Sequence, residues 1–329
     1  MVDVTRRAAL AAGLAMPWLA VPAHAQTTRL RFAHPHPESD SWHRAALLFA
    51  RTLKERSDGA ITVQVFPNGA LGSDPTIISG ARGGTLDIAL TGNPYFTGLA
   101  PKLNVLDLPF LFHNRKHVAA VLDGPIGDKL KPELEPSGLV TLGFWDIGFR
   151  NLTNSRRAVH TAADIGGLKI RTTPNPAHIK AFELLGANPT PLAFTELFTA
   201  LETRTVDGQE NPTTLILNAR FFEVQKHLSL TRHAYTAGIL AMSKQRLEAL
   251  PAKHRELVRA VAAEITPQQR QMNEDAEAGS ITKLKEEGME VVAEPDRESM
   301  AKIVVAPVRA EFTKQFGAEL PEAIEAAGA

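Results

Sequence analysis

The sequence contains no cysteine. That absence excludes disulfides, thiol nucleophiles, Cys-ligated zinc and iron–sulfur clusters together, along with a lipid-modified N-terminal Cys. An excess of either charge is missing too. Lys+Arg and Asp+Glu each number 36 among 329 residues. With no local basic patch, a nucleic-acid partner is not expected. The signatures of common enzymes are also lacking: there is no G-x-S-x-G, no H-E-x-x-H, no P-loop and no G-x-G-x-x-G. What remains is globular composition, with 44 % hydrophobic and 22 % charged residues, so bulk disorder is excluded. The length allows one large domain or two of ordinary size.

The first residues read as an export signal. Thr5-Arg6-Arg7 precedes an uncharged apolar run from Ala8 to Val21, and Ala23-His24-Ala25 is a small-x-small cleavage pattern. The run is broken by Pro17 and falls short of the roughly 20 residues a membrane-spanning helix needs. Cleavage is expected after Ala25. The pair Arg6-Arg7 points to the twin-arginine route, although ordinary secretory signals carry such pairs as well.

Beyond residue 25 the pattern is α/β. A strand at 30–33 precedes a helix over 39–56, stopped at Ser57-Asp58-Gly59. Residues 61–66 alternate with period two and turn at Pro67-Asn68-Gly69. Asp74 reads as a helix N-cap before Pro75, and a strand covers 86–90. Further strands are expected at 139–144 and 168–171. Asn175-Pro176 caps a helix, and another spans 195–202. Leu257, Val261 and Ile265 mark a late helix that Pro267 should kink. Strands alternating with helices predict a parallel sheet covered on its faces.

One cluster has the composition of a metal site: His34, His36, Asp40 and His43. It supports an alternative reading, a secreted metal-dependent hydrolase. Pro35 and Pro37 hold the first two imidazoles in extended chain, so they should point apart. His36 lies just past a strand's C-terminal end, where ligands collect in α/β sheets. Arg171 ends a strand in the same way, and Arg150 lies in an apolar context. A guanidinium offers a planar fork of donors that matches a carboxylate.

Several segments together carry a family resemblance. They are Gly167-Leu168-Lys169-Ile170-Arg171, Leu185-Gly186-Ala187-Asn188-Pro189-Thr190-Pro191, Phe194 to Leu201, and Val206-Asp207-Gly208-Gln209-Glu210-Asn211-Pro212. Phe66 to Gly72, Gly84 to Ile88, Leu108 to Phe112 and Gly148 to Thr153 flank them. The chain resembles the DctP-like substrate-binding proteins of tripartite ATP-independent periplasmic (TRAP) transporters over nearly its whole length after residue 25.

The resemblance implies a two-lobed periplasmic binding-protein fold of the type II kind, with a long C-terminal helix spanning both lobes. Lobe I is expected at 26–148 and 236–275, lobe II at 149–235 and 276–329. It implies a periplasmic binder, not an enzyme, that captures a small organic acid and delivers it to small and large membrane subunits. A monomer without metal or cofactor is expected. By match to the family, Arg171 clamps the carboxylate, Arg150 and Asn211 complete the polar contacts, and Phe194 packs on the ligand. Asn93, Trp145, Asp74 and His36 are placed near the cleft by position. Relatives that take polyhydroxylated acids often carry a carboxylate near the strand end matching 90–93. Gly92 and Asn93 stand there instead, which argues against a large sugar acid of the sialic type. Trp145, Phe149 and Phe96 would suit an apolar tail. As a cleft residue supports little core, alanine at Arg171 or Arg150 is expected to leave the fold intact.

Overall fold

The computed structural model describes residues 27–328; the export segment expected at 1–25 lies outside them. Nine strands form one mixed sheet: β1 Thr28–Ala33, β2 Ile61–Phe66, β3 Ile88–Gly92, β4 Leu139–Asn154, β5 Lys169–Thr172, β6 Asn188–Pro191, β7 Gly208–Asn211, β8 His227–Ser243 and β9 Glu290–Val292. The order is β2-β1-β3-β8-β4-β7-β5-β6, with β9 beside β8. β1 pairs in parallel with β2 and β3, and β5 with β6 and β7. The long strands β4 and β8 run antiparallel and connect these two groups, giving two lobes.

Side-chain alternation covers both faces of the first group. Leu30 and Phe32 of β1, with Ile88 and Leu90 of β3, pack into one core, whereas Ala33 and Ala89 face another. Such double burial is what a helix-covered parallel sheet requires. The first core is roofed by the helix Ser41–Arg56, whose cap is Asp40, accepting from the Trp42 amide at 3.0 Å. The second helix begins one residue before the expected point. Ser73 is its N-cap, and Asp74 lies inside its first turn with Pro75 following.

β4 continues ten residues beyond the expected strand end. It does so through register shifts at 141/143, 146/148 and 150/152. At the second, Ile147 is the extra residue, and Gly148 adopts φ +123°, a conformation that L side chains rarely take. The long helix Ala252–Glu286 satisfies the backbone loosened there. Gln269 accepts from the Asp146 amide at 2.7 Å and donates to the Asp146 carbonyl at 2.9 Å. Asn273 donates to the Ile147 carbonyl at 2.9 Å.

That helix runs unbroken through Pro267. Its Val258, Val261, Ala262 and Ile265 enter the core beneath Ser41–Arg56, while Leu284 joins a separate core with Leu197 and Ile216. Packing at both ends keeps it continuous despite the missing amide. The last helix, Glu319–Ala326, packs on Pro125–Leu130, and His117 Nε2 lies 2.7 Å from the Ile324 carbonyl. Residues 319–328 therefore touch the segment around 117–130, and Glu325 also pairs with Arg309 of the preceding helix.

Gly238 of β8 shows how tightly the first core is packed. A Cβ there would stand 2.2 Å from Trp42 Cζ2 and 2.9 Å from Cε2. Trp42 has little room to move, because its indole Nε1 donates to the Asp146 carbonyl at 3.1 Å. Gly238→Ala should therefore lower stability by about 1–3 kcal/mol through overpacking. Chemical denaturation of the variant beside wild type measures it; an unchanged midpoint would mean that Trp42 shifts freely.

Candidate functional site

A small cavity lies where β4 and β8 pass between the lobes. Its wall includes His36, Asp74, Gly92, Pro94 and Tyr95 on one side, with Arg171, Thr173, Phe194, Asn211 and Leu215 on the other. Ile147, Arg150 and Thr236 come from the connecting strands. A larger surface depression is lined by Glu202, Arg204, Glu223 and Lys226, all of them exposed. Only the smaller cavity gathers buried charge.

Arg171 is the third residue of β5, opposite in direction to Ile170, which packs into the core. It is 1 % exposed. Nε and Nη2 donate to the Leu192 carbonyl at 3.0 and 2.6 Å, and Nη2 also donates to the Tyr95 hydroxyl at 2.8 Å. Three of the five guanidinium N–H groups are thus engaged. Those on Nη1 have no partner among the described residues. Burial pushes the Tyr95 phenol up, so it stays neutral beside the cation.

Arg150 differs from expectation. It is buried on β4 and bound to Glu210 of β7 through Nε, with Nη2 reaching Glu210 Oε1 at 2.8 Å and its carbonyl at 2.5 Å. Nη2 also donates to Asn211 Oδ1 at 3.2 Å, and Nη1 to Thr236 at 3.3 Å. Burial opposes the charge on Glu210, but Arg150 and His233 outweigh it and hold the carboxyl well below its ordinary range. Arg150 lines the cavity as half of a neutralised pair. Asn211, at the end of β7, gives its Nδ2 to Gln209 Oε1 at 2.6 Å.

The opposite wall carries Asp74 and His36. Asp74 is 1 % exposed and accepts from the Phe194 amide at 3.4 Å. Burial pushes its carboxyl up to about 6, against the pull of His36 and Arg171. His36 stacks on Trp42 with ring centroids 3.8 Å apart, and its Nδ1 meets Asp40 at 3.2 Å. The Phe194 ring lies 5.3 Å from His36 and 6.0 Å from Phe221.

Other expectations are corrected. Asn93 turns behind the wall, donating to the Leu103 carbonyl at 2.9 Å and to Asp107 at 2.5 Å. Trp145 is fully buried and packs against Phe32. Phe96 and Phe149 are core residues as well, so none of the three supplies a tail pocket. The suspected metal cluster divides in two: His34 pairs with His43 at 3.3 Å, and His36 with Asp40. Burial takes His34 down to about 3, and the described residues hold no group of three potential ligands around one point.

Sequence reasoning missed Tyr95, Glu210 and Asp107. Asp107 is buried where the lobes meet and accepts from Asn93 and, at 3.0 Å, Asn175. Burial pushes its carboxyl up to about 7. Among these, only Glu210 stood in a segment that sequence reasoning had singled out.

Two lobes joined by long strands, closed over a small polar cavity with a partly unsatisfied arginine, define a solute-binding protein. The chain belongs to the DctP family, bacterial extracellular solute-binding protein family 7, which matches residues 32–315. It is a TRAP substrate-binding protein of transport, not an enzyme. It is 42 % identical over 298 residues to the 2,3-diketo-L-gulonate-binding periplasmic protein YiaO of Escherichia coli, covering 90 % of this chain and 91 % of that one. A TRAP periplasmic solute binding protein from a Polaromonas species, bound to D-erythronate, superposes with a TM-score of 0.89 at 39 % identity, covering 92 % and 99 % of the two chains. The sugar acid binding protein DctPAm from Advenella mimigardefordensis, in complex with galactonate, gives 0.88 at 38 %, covering 92 % and 98 %.

Proposed function

We propose that this chain captures a small organic acid in the cavity between its lobes, with the carboxylate on the open Nη1 edge of Arg171. The observation that carries the reading is that edge itself. Two N–H donors of a buried cation face a cavity whose other arginine is already neutralised. A buried charge demands a partner, and a carboxylate supplies both charge and acceptors. The ligands named for the Polaromonas and Advenella proteins are of that class. Closure would exclude water and strengthen the pairing as the local dielectric falls.

The division into lobes proposed here is 26–148 with 236–275, against 149–235 with 276–318. Support comes from β3 pairing with β8 at 238–242 and β7 with β4 at 151–154. The last helix is assigned to the first lobe on its packing against Pro125–Leu130. The protein works in the periplasm, exported through residues 1–25 by the twin-arginine or general route, and hands its ligand to the small and large membrane subunits of a TRAP transporter.

A thermal-shift screen of monocarboxylates, dicarboxylates and sugar acids tests the central claim. Free ligand at about 100 times Kd adds about 2.7 kcal/mol, which raises the midpoint by several degrees in a chain of this size. A flat response across all three groups would overturn it.

A further inference from the structure

We infer that Asp74 is the residue that selects the solute, so that the site takes monocarboxylates bearing hydroxyl groups and rejects dicarboxylates. The inference rests on Arg171 as the carboxylate anchor and adds what the rest of the cavity does with the remainder of the ligand.

The charges around the cavity decide the matter. Arg150 is bound to Glu210, so it offers no net charge to a second carboxylate. His36 leans on Asp40. Arg171 meets only neutral groups, the Leu192 carbonyl and the Tyr95 hydroxyl. It is therefore the one cation of the wall without an anionic partner. Facing it, in the same small space, is the Asp74 carboxylate, contributed by the opposite lobe.

Asp74 is itself short of donors. Its side chain is buried, and outside its own residue its one protein partner among the described residues is the Phe194 amide at a long 3.4 Å. A carboxylate accepts at about four lone-pair sites. At neutral pH a carboxyl whose value burial has raised to about 6 is still ionised. A ligand hydroxyl would donate to it and relieve the deficit. A second ligand carboxylate would bring a like charge into the same enclosed volume, with no cation left to offset it. A site built around an acceptor in this way discriminates twice, against the analogue that lacks the hydroxyl and against the one that replaces it with charge.

Four-carbon acids isolate the effect: D-erythronate, succinate and butyrate share an anchoring carboxylate and differ in the rest of the carbon chain. Calorimetric titration of the purified protein should find erythronate tightest, with succinate and butyrate each weaker by about tenfold or more. Galactonate is included as a longer hydroxylated acid. Asp74→Asn should weaken erythronate and strengthen succinate, narrowing their ratio by about tenfold or more. Asp74→Ser is the second variant should the amide fail to fold, and the wild-type comparison stands without either.

Succinate binding within about threefold of the better hydroxylated acid in wild type, or a ratio unmoved by both substitutions, would overturn the role of Asp74 while leaving the organic-acid reading intact. No binding by any of the four acids, with the broader screen flat, would overturn both.

Discussion

Arg171→Ala should abolish most ligand affinity while leaving the protein folded. Truncation removes the anion's charged partner from an enclosed site, and the carboxylate is then buried without compensation. Losing one member of such a pair costs about 2–5 kcal/mol, roughly a 30-fold to several-thousand-fold rise in Kd. The scaffold loses the bonds to the Leu192 carbonyl and the Tyr95 hydroxyl, but Tyr95 lines the cavity and Leu192 is only half-buried, so water can take the place of the guanidinium at both acceptors. Arg171→Lys is the sharper control. It keeps the charge, but an ammonium on a flexible stem cannot hold the Leu192 carbonyl and Tyr95 while presenting two further donors in one plane. It should bind much more weakly than wild type. Calorimetry with the acid found by thermal shift measures both, and circular dichroism checks the fold. An Arg171→Ala protein that binds within about threefold of wild type would place the carboxylate elsewhere.

Where the fold was readable in sequence, a local physical signal marked it. Asn175 caps its helix with its own side chain, Ser57 ends the helix Ser41–Arg56 where Ser57-Asp58-Gly59 marks a stop, and residues 61–66 form the strand that their alternation predicts. The connecting strands were harder. β4 was read only to Phe144 because bulges at 146/148 and 150/152 break the period-two pattern just as polar and glycine residues arrive. β8 escaped notice altogether because most of its length is buried on both faces, so no alternation shows. The packing of the last helix on Pro125–Leu130, about 200 residues upstream, leaves no trace in spacing.

The site divides along the same line. Arg171 announced itself by position, at the end of a short strand beside an apolar residue, where open sheets present ligand groups. Arg150 shared the residue type, and the resemblance marked both, yet the two arginines are held by different partners. What separates them is Glu210, 60 residues away from Arg150 in sequence and 2.8 Å away in space. Trp145, Phe149 and Phe96 look like cleft aromatics by their neighbours in sequence. Their strand and loop geometry instead directs all three into core.

That pairing reverses the expectation that Arg150 can be truncated without harm. Glu210→Ala should destabilise the protein by about 3–5 kcal/mol, because it leaves the Arg150 guanidinium buried without its counter-charge. In a chain of this size that lowers the thermal midpoint by roughly 5–10 °C. Arg150→Ala should destabilise as well, now through an unpaired buried carboxylate, and the two variants differ in their response to acid. In wild type the Glu210 carboxyl is held below its ordinary value of 4.5, so the stability it contributes is present above that pH and lost as the pH falls below it. Without Arg150, burial dominates and raises the folded-state value. The variant's deficit is then largest at neutral pH and shrinks as acid protonates Glu210. Replacing both residues with apolar ones of similar volume, Arg150→Met with Glu210→Leu, should recover most of the loss, since a buried pair is harmful to break but not needed for stability as such. Thermal denaturation of the two single variants and the double, at neutral and acidic pH, measures each of these effects. If both single variants melt within about 1 °C of wild type at neutral pH, the pair does not hold the lobes' junction together.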